Sequence, residues 1–141
     1  MQRSQELTKG HDKSAKRVFV VPRVIHFEIS ADNLERVVKF YRKVFDWKIK
    51  KWEGPAGYWL VTTGEDKQLG INGAIMHRMG KGTIYNTVDV ASVDKFLKKI
   101  VEAGGKAVQK KTAVLGVGYM AYCADTEGNI FGIMEEDMSA R

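Results

Sequence analysis

His26 and Glu28 are the residues whose types and spacing best suit chemistry in this chain. They lie two residues apart in the stretch RVIHFEIS (23–30), which alternates polar and apolar residues as a half-buried strand does. On such a strand His26, Glu28 and Ser30 share one face. An imidazole and a carboxylate placed this way can ligate a metal, exchange protons, or form a buried hydrogen-bonded pair. The two residues alone leave all three roles open.

The elements that must position this strand follow it directly. Residues 31–47 predict a helix with one apolar face, which Asp32 caps together with Glu35 three residues later. Phe45 and Trp47, at the end of this helix, are expected in the core. Short strands are predicted at 47–52, 58–64 and 71–77, separated by glycine-containing turns.

The second half of the chain repeats the same order. A strand at 82–90 leads into a helix that Ser92 caps and Gly104 ends. Three more strands are predicted at 106–111, 118–124 and 129–135. The segments VKFYRKVF and DKFLKKIV each contain a Lys-Phe pair, and the two pairs lie 56 residues apart. This period indicates a duplicated β-α-β-β-β module.

The repeat defines one domain at 23–137, preceded by a basic, flexible tail at 1–22. Module one spans about 23–79 and module two about 82–137, joined by the linker MGKGT (79–83). A chain of 141 residues is long enough for one sizeable core.

Charge and composition exclude several classes of function. Residues 1–23 carry six basic and two acidic side chains, so this segment holds +4 of the net charge of +6. The rest of the chain has a net charge of only +2, which does not predict a nucleic-acid-binding protein. No apolar run is long enough to cross a membrane. The single cysteine, Cys123, excludes an internal disulfide, favours a cytoplasmic location, and is expected to be buried.

Three stretches of the sequence resemble one family. VIHFEISADNLERVVKFYRKVFDW, YNTVDVASVDKFLKKIVEAGGKAV and YCADTEGNIFGIME are similar to the vicinal oxygen chelate superfamily, which includes glyoxalase I, bleomycin-resistance proteins and extradiol dioxygenases. The match includes the turn from Asp125 to Gly128 before the last strand. The resemblance implies an α+β fold in which two βαβββ modules form an open, barrel-like cleft. It also implies a homodimer.

The resemblance further implies where metal ligands would lie. Carried over by position, the four ligand sites fall on His26, on Thr83, near Gly73 and on Gly132, and of these His26 alone has a ligand-type side chain. Glu28 could add a second ligand. His77 could add a third, although nothing in the sequence places it in the cleft. We therefore expect no cofactor, with a divalent metal on His26 as the alternative.

The same positions suggest how a small molecule would bind. Glycine at Gly73 and Gly132 leaves room for a ligand, and Thr83 would add a polar contact. Tyr85 is the best aromatic candidate because it shares a strand face with Thr83. The aromatic residues available on predicted strands are Trp52, Tyr58, Trp59, Tyr85, Tyr119 and Tyr122.

These observations support a protein that binds a small organic molecule in the cleft between the modules. The first hypothesis is an enzyme related to glyoxalase-type lyases and isomerases, with His26 and Glu28 as catalytic groups and without the standard metal site. The second is a resistance-type protein that sequesters its ligand without chemistry. The third is a metal-dependent lyase or dioxygenase using His26. The sequence names no substrate and leaves open whether any reaction occurs.

Overall fold

The computed structural model describes residues 21–54 and 57–141. The predicted tail therefore lies outside the described residues, except for its last two positions. The ten elements, in chain order, are β1 (Val24–Ala31), α1 (Leu34–Phe45), β2 (Lys48–Lys51), β3 (Tyr58–Thr62), β4 (Gly73–His77), β5 (Ile84–Asp89), α2 (Val93–Glu102), β6 (Lys106–Val114), β7 (Gly118–Ala124) and β8 (Ile130–Glu136). The β-α-β-β-β order occurs twice, which confirms the predicted repeat.

The eight strands form one mixed sheet with the order β2-β3-β4-β1-β5-β8-β7-β6. The first strands of the two modules, β1 and β5, pair antiparallel in the middle of the sheet. Each of them pairs parallel with the last strand of its own module, β4 or β8. The sheet ends at β2 and β6 and is not closed into a barrel, so the predicted open α+β fold is confirmed.

Both helices pack against the same face of the sheet. Leu34 and Val38 of α1 join buried residues of β1 to β4 in one core cluster. Val93 of α2 joins residues of β7 and β8 in a second cluster, where Cys123 is fully buried as expected. With one face occupied by helices, the opposite face is left for a site.

The first helix begins one residue later than its capping pattern predicts. The side-chain oxygen of Asn33, not that of Asp32, accepts a hydrogen bond from the backbone amide of Arg36 at 3.0 Å. Asp32 instead pairs with Arg78, also at 3.0 Å. The prediction of Asp32 as the cap was therefore wrong, because a distant arginine engages its carboxylate.

The second helix begins and ends at the predicted residues. Ser92 accepts a hydrogen bond from the amide of Lys95, and Gly104 has the left-handed φ of +98° that favours glycine after a helix. Trp47, two residues after the end of the first helix, packs against the core as expected. Phe45 does not, because 54% of its surface is exposed. Neither helix in the described part of the chain is long and apolar enough to span a membrane.

Candidate functional site

The face of the sheet opposite the helices carries a buried polar cluster built on β1. Glu28 is 4% exposed and Ser30 is 7% exposed. The hydroxyl of Ser30 donates to the carbonyl oxygens of Gly82 and Thr83 at 2.8 and 2.6 Å. The polar face of RVIHFEIS therefore points into the protein interior rather than into bulk water.

Two tyrosines from different modules hold the carboxylate of Glu28. The hydroxyl of Tyr58, on β3, donates to its Oε2 at 2.5 Å. The hydroxyl of Tyr122, on β7, donates to its Oε1. The Nε2 of His26 lies 2.9 Å from the hydroxyl oxygen of Tyr58. Since Tyr58 gives its one hydrogen to Glu28, the Nε2 of His26 must be the donor in that contact. These four residues are called the Glu28 network below.

Burial and charge shift the pKa values of three side chains in the network. Burial lowers the pKa of His26, and the neighbouring charge of Glu28 only partly opposes this effect. Burial and then the charge of Glu28 raise the pKa values of Tyr58 and Tyr122 well above the usual range. At neutral pH the histidine is therefore mostly neutral, and both tyrosines remain hydrogen-bond donors.

A third tyrosine and two methionines complete this face. Met76, Tyr85 and Tyr122 form a buried cluster with the partly buried Tyr58, Met120 and Ile130. The ring centroids of Tyr85 and Tyr122 are 5.8 Å apart, and the hydroxyl of Tyr85 donates to the carbonyl of Met79 at 3.1 Å. Trp59 and Tyr119 pack into the cores on the helix side, so not every predicted aromatic faces the cleft.

A cavity of about 680 Å³ lies beside this cluster, between the linker and the strands of module two. It is lined by Met79, Gly80, Lys81, Gly82, Thr83, Ile84, Tyr85, Val108, Gln109, Tyr122, Gly128, Asn129 and Ile130. Thr83 and Tyr85, both predicted to contact a ligand, are among these residues. His26 and Glu28 are not. Tyr122 connects the two regions because it lines the cavity and also bonds to Glu28.

The two candidate glycines do not provide the expected room. Gly73 pairs with Phe27 on the helix side of the sheet. A Cβ at Gly73 would lie 2.4 Å from the carbonyl oxygen of Phe27 and 2.6 Å from its ring. Gly132 does face the cleft, but a Cβ there would lie 3.2 Å from the Oγ1 of Thr87 and 3.6 Å from the ring of Tyr122. The backbone and ring of Phe27 already fill the space at Gly73, and Thr87 and Tyr122 leave little room at Gly132.

The helix starts show which residue of module two corresponds to His26. His26 lies eight residues before Leu34, the first residue of α1, and Tyr85 lies eight residues before Val93, the first residue of α2. Counted this way, Tyr85 rather than Thr83 is the counterpart of His26. Thr83 lies just before β5 and is exposed. The Lys-Phe pairs do not reveal this, because Lys39 lies five residues after the start of α1 whereas Lys95 lies only two residues after the start of α2.

The side chains present do not fit the metal site that the family resemblance implies. Within 21–54 and 57–141, no group of three or more His, Cys, Asp and Glu residues could hold a metal ion. Both oxygens of Glu28 accept tyrosine hydroxyls. His77, on β4, pairs with Ala31 of β1, so its side chain points to the helix side of the sheet. There it packs against Gly57. It therefore lies across the sheet from His26.

Sequence reasoning counted Tyr58 and Tyr122 as general aromatic lining and missed their hydroxyl contacts with Glu28. Strand alternation does place each of them on the cleft side of its own strand. The missing information was the order of the strands, which brings β3 and β7 to either side of β1.

Solved structures share this fold at low sequence identity. A hypothetical protein from Bacillus halodurans C-125 matches with a TM-score of 0.59 and 11% identity, covering 86% of this chain and 99% of that chain. Methylmalonyl-CoA epimerase from Mycobacterium tuberculosis matches with a TM-score of 0.57 and 11% identity, covering 80% and 87%. A methylmalonyl-CoA epimerase in complex with methylmalonyl-CoA and NH4+ gives 0.61 and 12%, covering 86% and 99%. At such identities the likeness shows the fold alone.

Sequence comparison leads to the same family. No curated protein matches this chain. The family model described as the Glyoxalase/Bleomycin resistance protein/Dioxygenase superfamily matches residues 23–133, which cover both modules. The chain belongs to the glyoxalase/bleomycin resistance protein/dioxygenase superfamily.

Proposed function

We propose that this protein binds a small organic molecule in the cavity beside module two and exchanges a proton with it through the Glu28 network. The observation that carries this proposal is the double role of Tyr122, which lines the cavity and donates its hydroxyl to Glu28. A cavity of this volume suits a molecule of drug-like size.

The proton path follows from the hydrogen bonds. A ligand in contact with the hydroxyl of Tyr122 gives its proton to that oxygen while Tyr122 passes its own hydrogen to Oε1 of Glu28. The products are a deprotonated ligand, a neutral tyrosine and a protonated Glu28. Tyr58 keeps its hydrogen bond to Oε2, and His26 holds Tyr58 in place. In this path Glu28 is the base, and His26 is a positioning residue.

The proposal does not use a metal ion. The donor set contains one histidine and one carboxylate whose oxygens are both engaged, and a divalent ion needs three or four protein ligands in a fixed geometry. The carboxylate itself supplies the negative charge that accepts the proton.

The first experiment tests binding in the cavity. Backbone amide signals of Gly80, Lys81 and Val108 would be followed by NMR while phenylpyruvate or 1-phenyl-2-propanone is added. Both probes carry an aromatic body and an acidic C–H bond. Shifts confined to the cavity residues support the proposal, and binding elsewhere or no binding of either probe argues against it.

The second experiment tests proton transfer. In D2O, the wild-type protein should speed deuterium incorporation at the acidic C–H of a bound probe above its background rate. Glu28→Gln and Tyr122→Phe should both lose this effect, since either change breaks the path. Tyr119→Phe is the matched control, because Tyr119 packs on the helix side. Exchange that persists in Glu28→Gln would contradict the role of Glu28.

Two observations favour a second candidate, a resistance-type protein that binds without chemistry. Neither His26 nor Glu28 lines the cavity, and Glu28 is satisfied by two tyrosine hydroxyls, as a purely structural carboxylate would be. In this case the probes would bind in the cavity while deuterium exchange stays at the background rate. The same two experiments therefore separate the candidates.

A further inference from the structure

The linker wall of the cavity has both hydrogen-bond acceptors and hydrogen-bond donors, and several of the acceptors are already engaged. Three carbonyl oxygens of the linker accept hydrogen bonds from the protein itself. They are those of Met79 (from Tyr85), Gly82 (from Ser30 and Arg78) and Thr83 (from Ser30). These three oxygens are therefore less available to a ligand.

Two backbone donors of the same wall are free. Within the described part of the chain, the backbone amides of Gly80 and Lys81 have no hydrogen-bond acceptor. Lys81 is also the one charged side chain among the described residues that line the cavity. Its ammonium group forms no ion pair with any described residue. Free donors and a positive charge favour an anionic group and disfavour a cation.

Exposed apolar side chains also lie at the cavity mouth. Ile84 is 59% exposed, Val108 is 55% exposed and Met79 is 44% exposed, and all three line the cavity. Burying such side chains under a ligand is favourable in proportion to the apolar area removed from water. The cavity thus joins an apolar surface to a positively charged, donor-rich edge.

We propose that the ligand is a small monoanion, such as a carboxylate, that carries an aromatic or branched aliphatic body. Its anionic group binds the ammonium of Lys81 and the amides of Gly80 and Lys81, and its body covers Ile84 and Val108. This inference rests on the proposed cavity site, but it is independent of proton transfer by Glu28.

The test uses probes that share a body and differ in charge. One series is indole-3-acetate, indole-3-acetamide and tryptamine, and a second is 2-naphthoate, 2-naphthamide and 2-naphthylmethylamine. Dissociation constants at neutral pH would be measured by NMR titration of the amides of Gly80, Lys81 and Val108. We expect each carboxylate to bind about tenfold more tightly than its amide, as a charge-assisted hydrogen bond allows. We expect each amine to bind more weakly than the amide.

Lys81→Met identifies the source of the preference. This variant should bind the carboxylate no better than the amide, while its affinity for the amide stays within about twofold of the wild type. Lys98→Met is the matched control, since Lys98 is an exposed lysine on α2 that does not line the cavity. This control should keep the wild-type preference.

The possible outcomes distinguish a wrong ligand class from a wrong binding site. Equal affinity for carboxylate and amide at the cavity amides would overturn the anionic class and leave the cavity site standing. Tighter binding of the amines would overturn it as well. Failure of all six probes to shift the cavity amides would count against both the ligand class and the cavity site.

Discussion

The hydroxyl of Tyr122 donates to the carboxylate of Glu28, which lies 94 residues earlier in the chain. Two strands, β5 and β8, separate β1 from β7, so a flat sheet would hold their backbones about 14 Å apart. Gly132, on the intervening strand β8, helps to allow the contact because it lets the ring of Tyr122 pass over that strand. This bond joins the two modules through their buried face.

The hydrogen bonds to Glu28 should contribute measurably to stability. Tyr122→Phe removes a donor from a buried carboxylate, and we expect it to lower the free energy of unfolding by about 1–3 kcal/mol. Tyr58→Phe should have a similar effect and should also release His26. Tyr119→Phe, which removes no contact with Glu28, should change stability by less than about 0.5 kcal/mol. Urea unfolding measures all three, and equal effects would argue against the network.

The pKa of His26 should respond to the charge of Glu28. Burial lowers this pKa and the carboxylate raises it, so Glu28→Gln should lower it further. NMR titration of the imidazole signals measures the change. Glu102→Gln, at an exposed position on α2, should leave the titration as in the wild type. An unchanged or higher pKa of His26 in Glu28→Gln would contradict the charge effect of Glu28 on the imidazole.

The lowered pKa of His26 also predicts how stability varies in mild acid. Its ordinary pKa is about 6.5, and the folded protein holds it below this value. The unfolded chain therefore binds the proton first, and the free energy of unfolding falls as the pH drops through about 6.5. His26→Gln should flatten this part of the stability curve. If the free energy of unfolding of the variant fell just as steeply with pH, groups other than His26 would cause the pH dependence.

The raised pKa values of Tyr58 and Tyr122 predict that stability also falls at high pH. Their pKa values in the folded protein lie above the ordinary value, so the unfolded chain loses these protons first. Their contribution to stability is complete below a pH of about 10 and is lost as the pH rises above it. Near-ultraviolet absorbance should show that two of the five tyrosines ionise only on unfolding. Tyr58→Phe and Tyr122→Phe should each remove one tyrosine from the late-ionising group.

The two cleft-candidate glycines should differ in their response to substitution. Gly73→Ala places a methyl group against the backbone and ring of Phe27, and overpacking of this kind typically costs about 1–3 kcal/mol or more. Gly132→Ala meets only side chains, at 3.2 and 3.6 Å, so its cost should be smaller. Gly132→Val should displace Tyr122 and cause a loss of stability like that expected for Tyr122→Phe. Equal costs for the two alanine variants would contradict the assigned faces.

Much of the fold could be predicted from local sequence. The two helices, the eight strands and the repeat follow from periodicity and capping residues, which act over a few positions. Ser92 and Gly104 were placed correctly for this reason, and the alternation in RVIHFEIS put His26, Glu28 and Ser30 on one face. The errors at Asp32 and Phe45 arose where Arg78 and solvent exposure, both set by tertiary structure, overrode a local pattern.

The candidate site was predictable only in part. Residue types and alternation marked His26 and Glu28, and the alternation also placed Tyr85 toward the cleft. They did not show that Gly73 faces the helices, or that Tyr85 is the counterpart of His26.

The amino-acid sequence by itself determined which residues form each strand and which side chains share a face, because these properties depend on neighbours a few positions away. Only the tertiary structure decided that Tyr58 and Tyr122 meet at Glu28 and that the cavity opens beside Lys81. Those contacts join residues 30 and 94 positions apart. They exist because β1 pairs with both β4 and β5, and no local pattern encodes that order of strands.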